Sequence, residues 1–192
     1  MTTILNPPYR VVVYCASAPG ANPAYLAAAT ELGKALAESG ISLVYGGATA
    51  GLMGAVANAA LAAGAEVIGI LPEVLKSREV AHLNLTRLEY TATMHERKAR
   101  MIELADAVIA LPGGYGTLDE LMEAVTWAQL GIHTMPCIVV NILNYYDGLF
   151  KFLDTAVEAG FLKPANRQRL LVTATVEEAI QLLETHRGKG SV

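Results

Sequence analysis

The feature that leaves this chain the fewest possible folds is an alternation. Short apolar runs, each followed by a longer stretch with helical spacing, succeed one another almost without interruption. "RVVVYCAS" precedes the alanine-rich "PAYLAAATELGKALAESG", "ISLVYGG" precedes "GLMGAVANAALAAG", and "AEVIGILP" precedes a polar stretch. "LTRLEYTA" then leads to "MHERKARMIELA", "DAVIALPGG" to "TLDELMEAVTWAQLG", "MPCIVVNI" to "YYDGLFKFLDTAVEAG", and "RLLVTAT" to "VEEAIQLLETH". Runs of four to eight apolar residues read as strands buried on both faces. Strands of that kind alternating with helices predict an α/β chain with a doubly wound, mostly parallel sheet. No linker, repeat or low-complexity segment divides it, so residues 1–192 are expected to form one domain, with about 1–9 and 187–192 as flexible ends.

Composition narrows the function classes. With 53% hydrophobic and 17% charged residues, the chain can fill a core, which excludes disorder. No uninterrupted apolar stretch reaches the roughly 18 residues of a membrane span, and "MTTILNPPYR" lacks the basic-then-apolar pattern of a signal peptide. A net charge of −4 gives no general attraction to nucleic acid. Cys15 and Cys137 both lie in apolar runs and read as small buried thiols. A cytoplasmic protein is expected, without contact to nucleic acid or membrane.

In an open parallel sheet, ligands bind where strands hand over to helices at the carboxyl edge. A dinucleotide site would need G-x-G-x-x-G after the first strand, where this chain has "CASAPGAN". The lysine of a P-loop is absent as well. Two glycine-rich turns remain, "YGGATAGLMG" and "PGGYGT". Glycines also make ordinary tight turns. Two such turns on one edge, beside the Thr117 hydroxyl, point instead to backbone N–H groups that hold a phosphate. Ser17, Gly46, Gly47 and Gly113 are further candidate phosphate or nucleotide contacts.

Glu120 has two readings. Thr117 to Glu120 has the spacing of a capping box, which recurs at Thr93 to Glu96 and Thr175 to Glu178. Spacing alone therefore makes Glu120 a cap. Helical geometry adds a second possibility: Leu118, Leu121, Met122 and Val125 form an apolar stripe, and Glu120, Ala124 and Trp127 share the opposite side. A side carrying Trp127 is expected to be covered, with Glu120 under the cover. In "MHERKARMIELA", Met94, Met101, Ile102 and Ala105 define an apolar stripe that contains Lys98 and borders Arg97. A lysine on an inward stripe either snorkels outward or faces an anion, here a ligand phosphate or Glu120. The histidines, His82, His95, His133 and His186, lack metal-ligand spacing, so no metal is expected.

These residues resemble a known family. "PGGYGTLDE" is similar to the P-G-G-x-G-T-x-x-E signature of the Lonely Guy (LOG) proteins, phosphoribohydrolases acting on cytokinin riboside 5′-monophosphates. "VVVYCAS", "YGGATAGLMG", "MHERK" and "TWAQLGIH" extend the likeness over most of the chain. Such proteins have often carried a lysine decarboxylase label, but nothing in the sequence suggests a pyridoxal phosphate site, and no cofactor is expected. The resemblance implies a Rossmann-like fold, with Arg97 and Glu120 as the catalytic pair. It implies nucleotide contacts at Glu79, Lys98, Gly114, Tyr115, Gly116, Thr117, Leu118, Asp119 and Thr126. It further implies a homodimer with sites near the subunit interface. The reaction would be hydrolysis of the bond between a purine and ribose 5-phosphate, with prenylated and plain adenine both open. A related class, carriers of phosphorylated pterin cofactors, would need the glycine turns but not the Arg97 and Glu120 pair. Two departures concern ligand fit: many relatives have "CGSS" for "CASA" and "YGGG" for "YGGA". Ala18 thus lacks a hydroxyl, and Ala48 has less backbone freedom.

Overall fold

Seven strands, one for each apolar run, pair in parallel throughout. The computed structural model describes residues 8–76 and 81–187. In chain order the strands are β1 (Arg10–Tyr14), β2 (Ser42–Tyr45), β3 (Val67–Pro72), β4 (Arg87–Thr91), β5 (Ala107–Ala110), β6 (Cys137–Val140) and β7 (Leu170–Thr173). Their spatial order is β4-β3-β2-β1-β5-β6-β7. The helices are α1 (Pro23–Glu38), α2 (Gly51–Ala62), α3 (Met94–Glu103), α4 (Tyr115–Leu130), α5 (Asp147–Glu158), the short α6 (Pro164–Arg167) and α7 (Val176–Arg187).

Side chains along β1 show how the two faces are filled. Val11 and Val13 pack with α1, α2 and α7, whereas Val12 and Tyr14 pack with α3, α4 and α5. Period-two alternation in a strand buried on both sides makes both sets apolar, which is why the strands read as continuous hydrophobic runs. The doubly wound α/β architecture expected from the sequence is the one observed. Of the ends expected to be flexible, Pro8, Tyr9 and Arg187 are described. The Tyr9 carbonyl accepts from the Ser42 N–H at 2.9 Å, and the Arg187 guanidinium lies 5.4 Å from the centre of the Tyr9 ring. The rest, residues 1–7 and 188–192, lies outside the described residues. Among the described residues, no helix is long and apolar enough to cross a membrane.

The strand order positions the site. From β1 the chain winds outward through β2, β3 and β4, then returns to place β5 on the other side of β1. The connections leaving β1 and β5 therefore diverge, and a crevice opens between them at the carboxyl edge.

Candidate active site

A cavity of about 440 Å³ occupies that crevice. Its walls come from the β1 exit (Cys15 to Ala18), the start of α4 (Gly114 to Thr117, Asp119, Glu120), and Arg97 of α3. Met53, Leu75 and Met94 add apolar surface.

Arg97 and Glu120 meet at the floor. The Arg97 guanidinium donates from Nη1 to Glu120 Oε1 at 2.6 Å and from Nε to the Ile70 carbonyl at 2.9 Å. Arg97 is 5% exposed, so it lies fully inward rather than at the edge of its helix's apolar stripe. Gly46, at the β2 exit, explains how it fits: a Cβ there would collide with the Arg97 guanidinium and crowd the Met53 sulfur. Burial holds the Glu120 carboxyl above the ordinary carboxylate range, and the Arg97 charge and hydrogen bond oppose that rise.

The capping reading of Glu120 is overturned. Helix α4 begins at Tyr115, with Gly114 as its N-cap and no side chain capping it. Thr117 and Glu120 are therefore inside the helix. The other two boxes do form: Thr93 Oγ1 accepts from Glu96 N at 3.1 Å, and Thr175 Oγ1 from Glu178 N at 3.2 Å. In each the glutamate reaches back to the N–H just before the cap, that of Ala92 at 2.9 Å or Ala174 at 2.7 Å.

Without a cap, the N–H groups of Gly114, Tyr115, Gly116 and Thr117 have no partner among the described residues. All four residues line the cavity, at the positive end of the α4 dipole. The other glycine-rich turn behaves differently. At the start of α2, the N–H groups of Leu52 and Met53 both donate to the Ala16 carbonyl, at 3.0 and 3.2 Å. Those donors are spent inside the protein, and Gly46 and Gly47 do not line the cavity. Of the two turns expected to bind an anion, the one at the start of α4 is therefore the one with unbonded N–H groups among residues lining the cavity.

Other site residues divide. Ser17, Tyr115, Gly116, Thr117 and Asp119 line the cavity with Gly114. Gly113 lies behind it, in a smaller depression of about 210 Å³ against Tyr25 and Tyr145. Lys98 neither snorkels nor meets the cavity. Its ammonium lies 2.8 Å from Glu123 and 3.1 Å from Asp119, tying α3 to α4. Leu118 and Thr126 lie with Met122 and Trp127 along an open groove on the outer side of α4. The α4 face that packs on the sheet is Thr117, Leu121, Ala124 and Ala128, which corrects the stripe read from the sequence. Leu118, Met122 and Val125 are only half-buried. Glu79 lies outside the described residues. The apolar lining residues Met53, Leu75 and Met94 were not found from the sequence, where each reads as ordinary helix or loop filler. Their shared signal is position, just after a strand exit or beside an N-cap.

Comparison with known proteins agrees with the motifs. Residues 53–183 match a family described as "Possible lysine decarboxylase". A cytokinin riboside 5′-monophosphate phosphoribohydrolase of Oryza sativa subsp. japonica is 48% identical over 92% of this chain and 73% of its own length. One from Arabidopsis thaliana is 45% identical, over 92% of this chain and 82% of its own length. The chain belongs to the LOG family. A relative with the same described activity, from Rhodococcoides fascians, is 45% identical over 93% of this chain and 90% of its own length. Among solved structures, the Moco carrier protein of Chlamydomonas reinhardtii shares the fold, with a TM-score of 0.73 at 22% identity over 95% of this chain and 99% of that one. So does a molybdenum cofactor binding protein of Rippkaea orientalis, with a TM-score of 0.68 at 24% identity over 94% and 98%. The decarboxylase description names a chemistry for which, among the described residues, no lysine lines the cavity.

Proposed function

We propose that the protein hydrolyses the N-glycosidic bond of purine ribonucleoside 5′-monophosphates, cytokinin riboside 5′-monophosphates among them, to free base and ribose 5-phosphate. The observation that carries this reading is a buried, arginine-paired carboxylate on the same helix as an uncapped N-terminus, both lining one cavity. The first suits a developing cation and the second a phosphate. The 5′-phosphate binds the free N–H groups of Gly114 to Thr117. The C1′–N bond then breaks, and its electron pair leaves with the base. Positive charge spreads over C1′ and the ring oxygen. Ionised Glu120 stabilises that charge and orients a water, whose oxygen bonds to C1′ while its proton passes to the departing base. Arg97 keeps Glu120 in place and ionised, its own position fixed by the Ile70 carbonyl. The ligand needs no resident cofactor for these steps.

Assembly and location belong to the same reading. The open groove along Leu118, Met122, Thr126 and Trp127 supports a homodimer that covers it. Tyr115 and Asp119 border both groove and cavity, so the site would adjoin the interface. Light scattering at micromolar concentration is expected to give at least a dimer, and a monomer would remove the cover from Trp127. The expected compartment is the cytoplasm.

The deciding experiment incubates purified protein with AMP, isopentenyladenosine monophosphate and the matching nucleosides, and assays free base. Release from a nucleotide, and little or none from its nucleoside, is expected. Equal turnover of both would separate the reaction from the phosphate. Tight nucleotide binding with no base release would leave a carrier.

A further inference from the structure

The turn between β6 and α5 carries two consecutive tyrosines that grip the strand-to-helix turn after β5. Tyr145 donates its hydroxyl to the Gly113 carbonyl at 2.8 Å, and Tyr146 donates its own to the Leu111 carbonyl at 2.8 Å. Backbone strain is present at this turn. Leu143 and Asn144, with φ of 53° and 59°, are the non-glycine residues at positive φ among the described residues. Two such residues in succession are costly for L side chains. Asn141 stabilises the bend, accepting from the Tyr146 N–H at 2.8 Å and donating to Asp147 at 2.8 Å. The aromatic rings brace one another: Tyr145 lies edge-on to Tyr146 at 4.9 Å and to Tyr25 at 5.8 Å.

The consequence follows from peptide geometry. A trans peptide is planar, with its C=O and N–H pointing in opposite directions. The carbonyl of Gly113 is held by Tyr145 on the side of the small depression behind the loop. The N–H of the same peptide belongs to Gly114, the first of the four partnerless donors at the head of α4. Fixing one end of the peptide aims the other at the cavity. Glycines on both sides of that peptide leave little local resistance to its turning over, so an external hold is needed.

We propose that Tyr145 is a positioning residue for phosphate recognition: its hydroxyl sets the Gly113–Gly114 peptide so that the Gly114 N–H joins the anion cradle. This rests on the proposed function, in which that cradle holds the 5′-phosphate. Tyr146 secures the strand end beneath it through Leu111.

The test is Tyr145→Phe in the full chain, which keeps the ring contacts and removes the hydroxyl. Tyr145 is 46% exposed, so the variant is expected to fold with Tm near wild type. The KM for AMP should rise roughly three- to tenfold, the loss of about one neutral hydrogen bond's worth of orientation, with kcat within about twofold. The inhibition constant of inorganic phosphate should rise by a similar factor. A purely structural role would lower Tm and kcat and leave phosphate inhibition unchanged. Unchanged KM and phosphate inhibition in a folded variant would overturn the proposal, as would a loss confined to kcat. Failure of the proposed function is distinguished beforehand, because wild-type protein would then show neither inhibition by phosphate nor preference for nucleotide over nucleoside.

Discussion

Two glycine-rich turns leave the strands on either side of β1, and they do opposite things. The turn after β2 is closed by its own chain: Ala16 takes the N–H groups of Leu52 and Met53, and Gly46 makes room for the Arg97 guanidinium. The turn after β5 is open, with its N–H groups unclaimed and its helix uncapped. Glycine in the first permits close packing; in the second it keeps backbone accessible. A glycine-rich turn therefore marks a phosphate site only when the donors it frees are not already used.

The sharpest attack on this comparison is at the carboxylate that the closed turn holds in place and the open turn faces. Glu120→Gln is expected to cut kcat/KM by roughly 10²–10⁴-fold, since the amide keeps the shape and loses the charge. It is also expected to lower Tm, because Arg97 at 5% exposure loses its counter-charge. Glu178→Gln, in the box at the start of α7, should leave both turnover and Tm near wild type. Full turnover in Glu120→Gln would reduce Glu120 to a structural counter-ion.

A second pair of variants separates the turns directly. Gly51 has φ of 57°, and a Cβ on it would run into the backbone of Ser17 and Ala18. Gly51→Ala should therefore destabilise by roughly 2–6 kcal/mol, a left-handed conformation plus an overpacked contact, which thermal unfolding would register. Gly116 has open space around its Cβ position. Gly116→Ala should leave Tm unchanged or slightly raised and increase KM for nucleotide, by crowding the cradle. If the two effects were exchanged, the assignment of the open turn would be wrong.

The smallest expected effect is in the pH profile. Burial raises the Glu120 carboxyl, and Arg97 counters it. The reaction needs the ionised form, so activity falls as pH drops through that raised value. The acid limb of kcat/KM should lie above the ordinary glutamate value of about 4.3. In Arg97→Ala the countering charge is gone, and the residual activity should show a limb moved to still higher pH. A limb that stays put would mean Arg97 does not tune Glu120.

The sheet and its order of helices were legible because one signal, a short strand-like run ahead of a helical stretch, recurs seven times, three times (β2, β3, β5) closed by glycine or proline. The pairing of Arg97 with Glu120 was half legible: motif resemblance named both, and the inward position of α3's charged residues suggested an anion. The start of α4 was not legible. Thr117 has the side chain of a cap, and Gly114 to Gly116 has the composition of a loop, so local propensity placed the helix start two residues late. Tertiary structure decides otherwise, since Gly113 lets Thr117 pack directly against it. Nor could spacing reveal that Ala16 would satisfy α2, because that contact joins a strand exit to a helix start that lie far apart in the chain. Lys98 was read correctly as facing an anion, but the anions are Asp119 and Glu123.

The Arg97 Nε bond to the Ile70 carbonyl has a wider consequence. It references the Glu120 carboxylate to β3, an interior strand, whereas the apolar rim comes from the turn after β3 (Leu75) and the first turns of α2 and α3 (Met53, Met94). In the proposed reaction the carboxylate is thus held through β3, and none of the rim residues is its hydrogen-bond partner. Under the proposed function, exchanges at the rim would alter which base is accepted while the carboxylate stays in register with the sheet, so substrate choice would drift without the bond-breaking step being built anew.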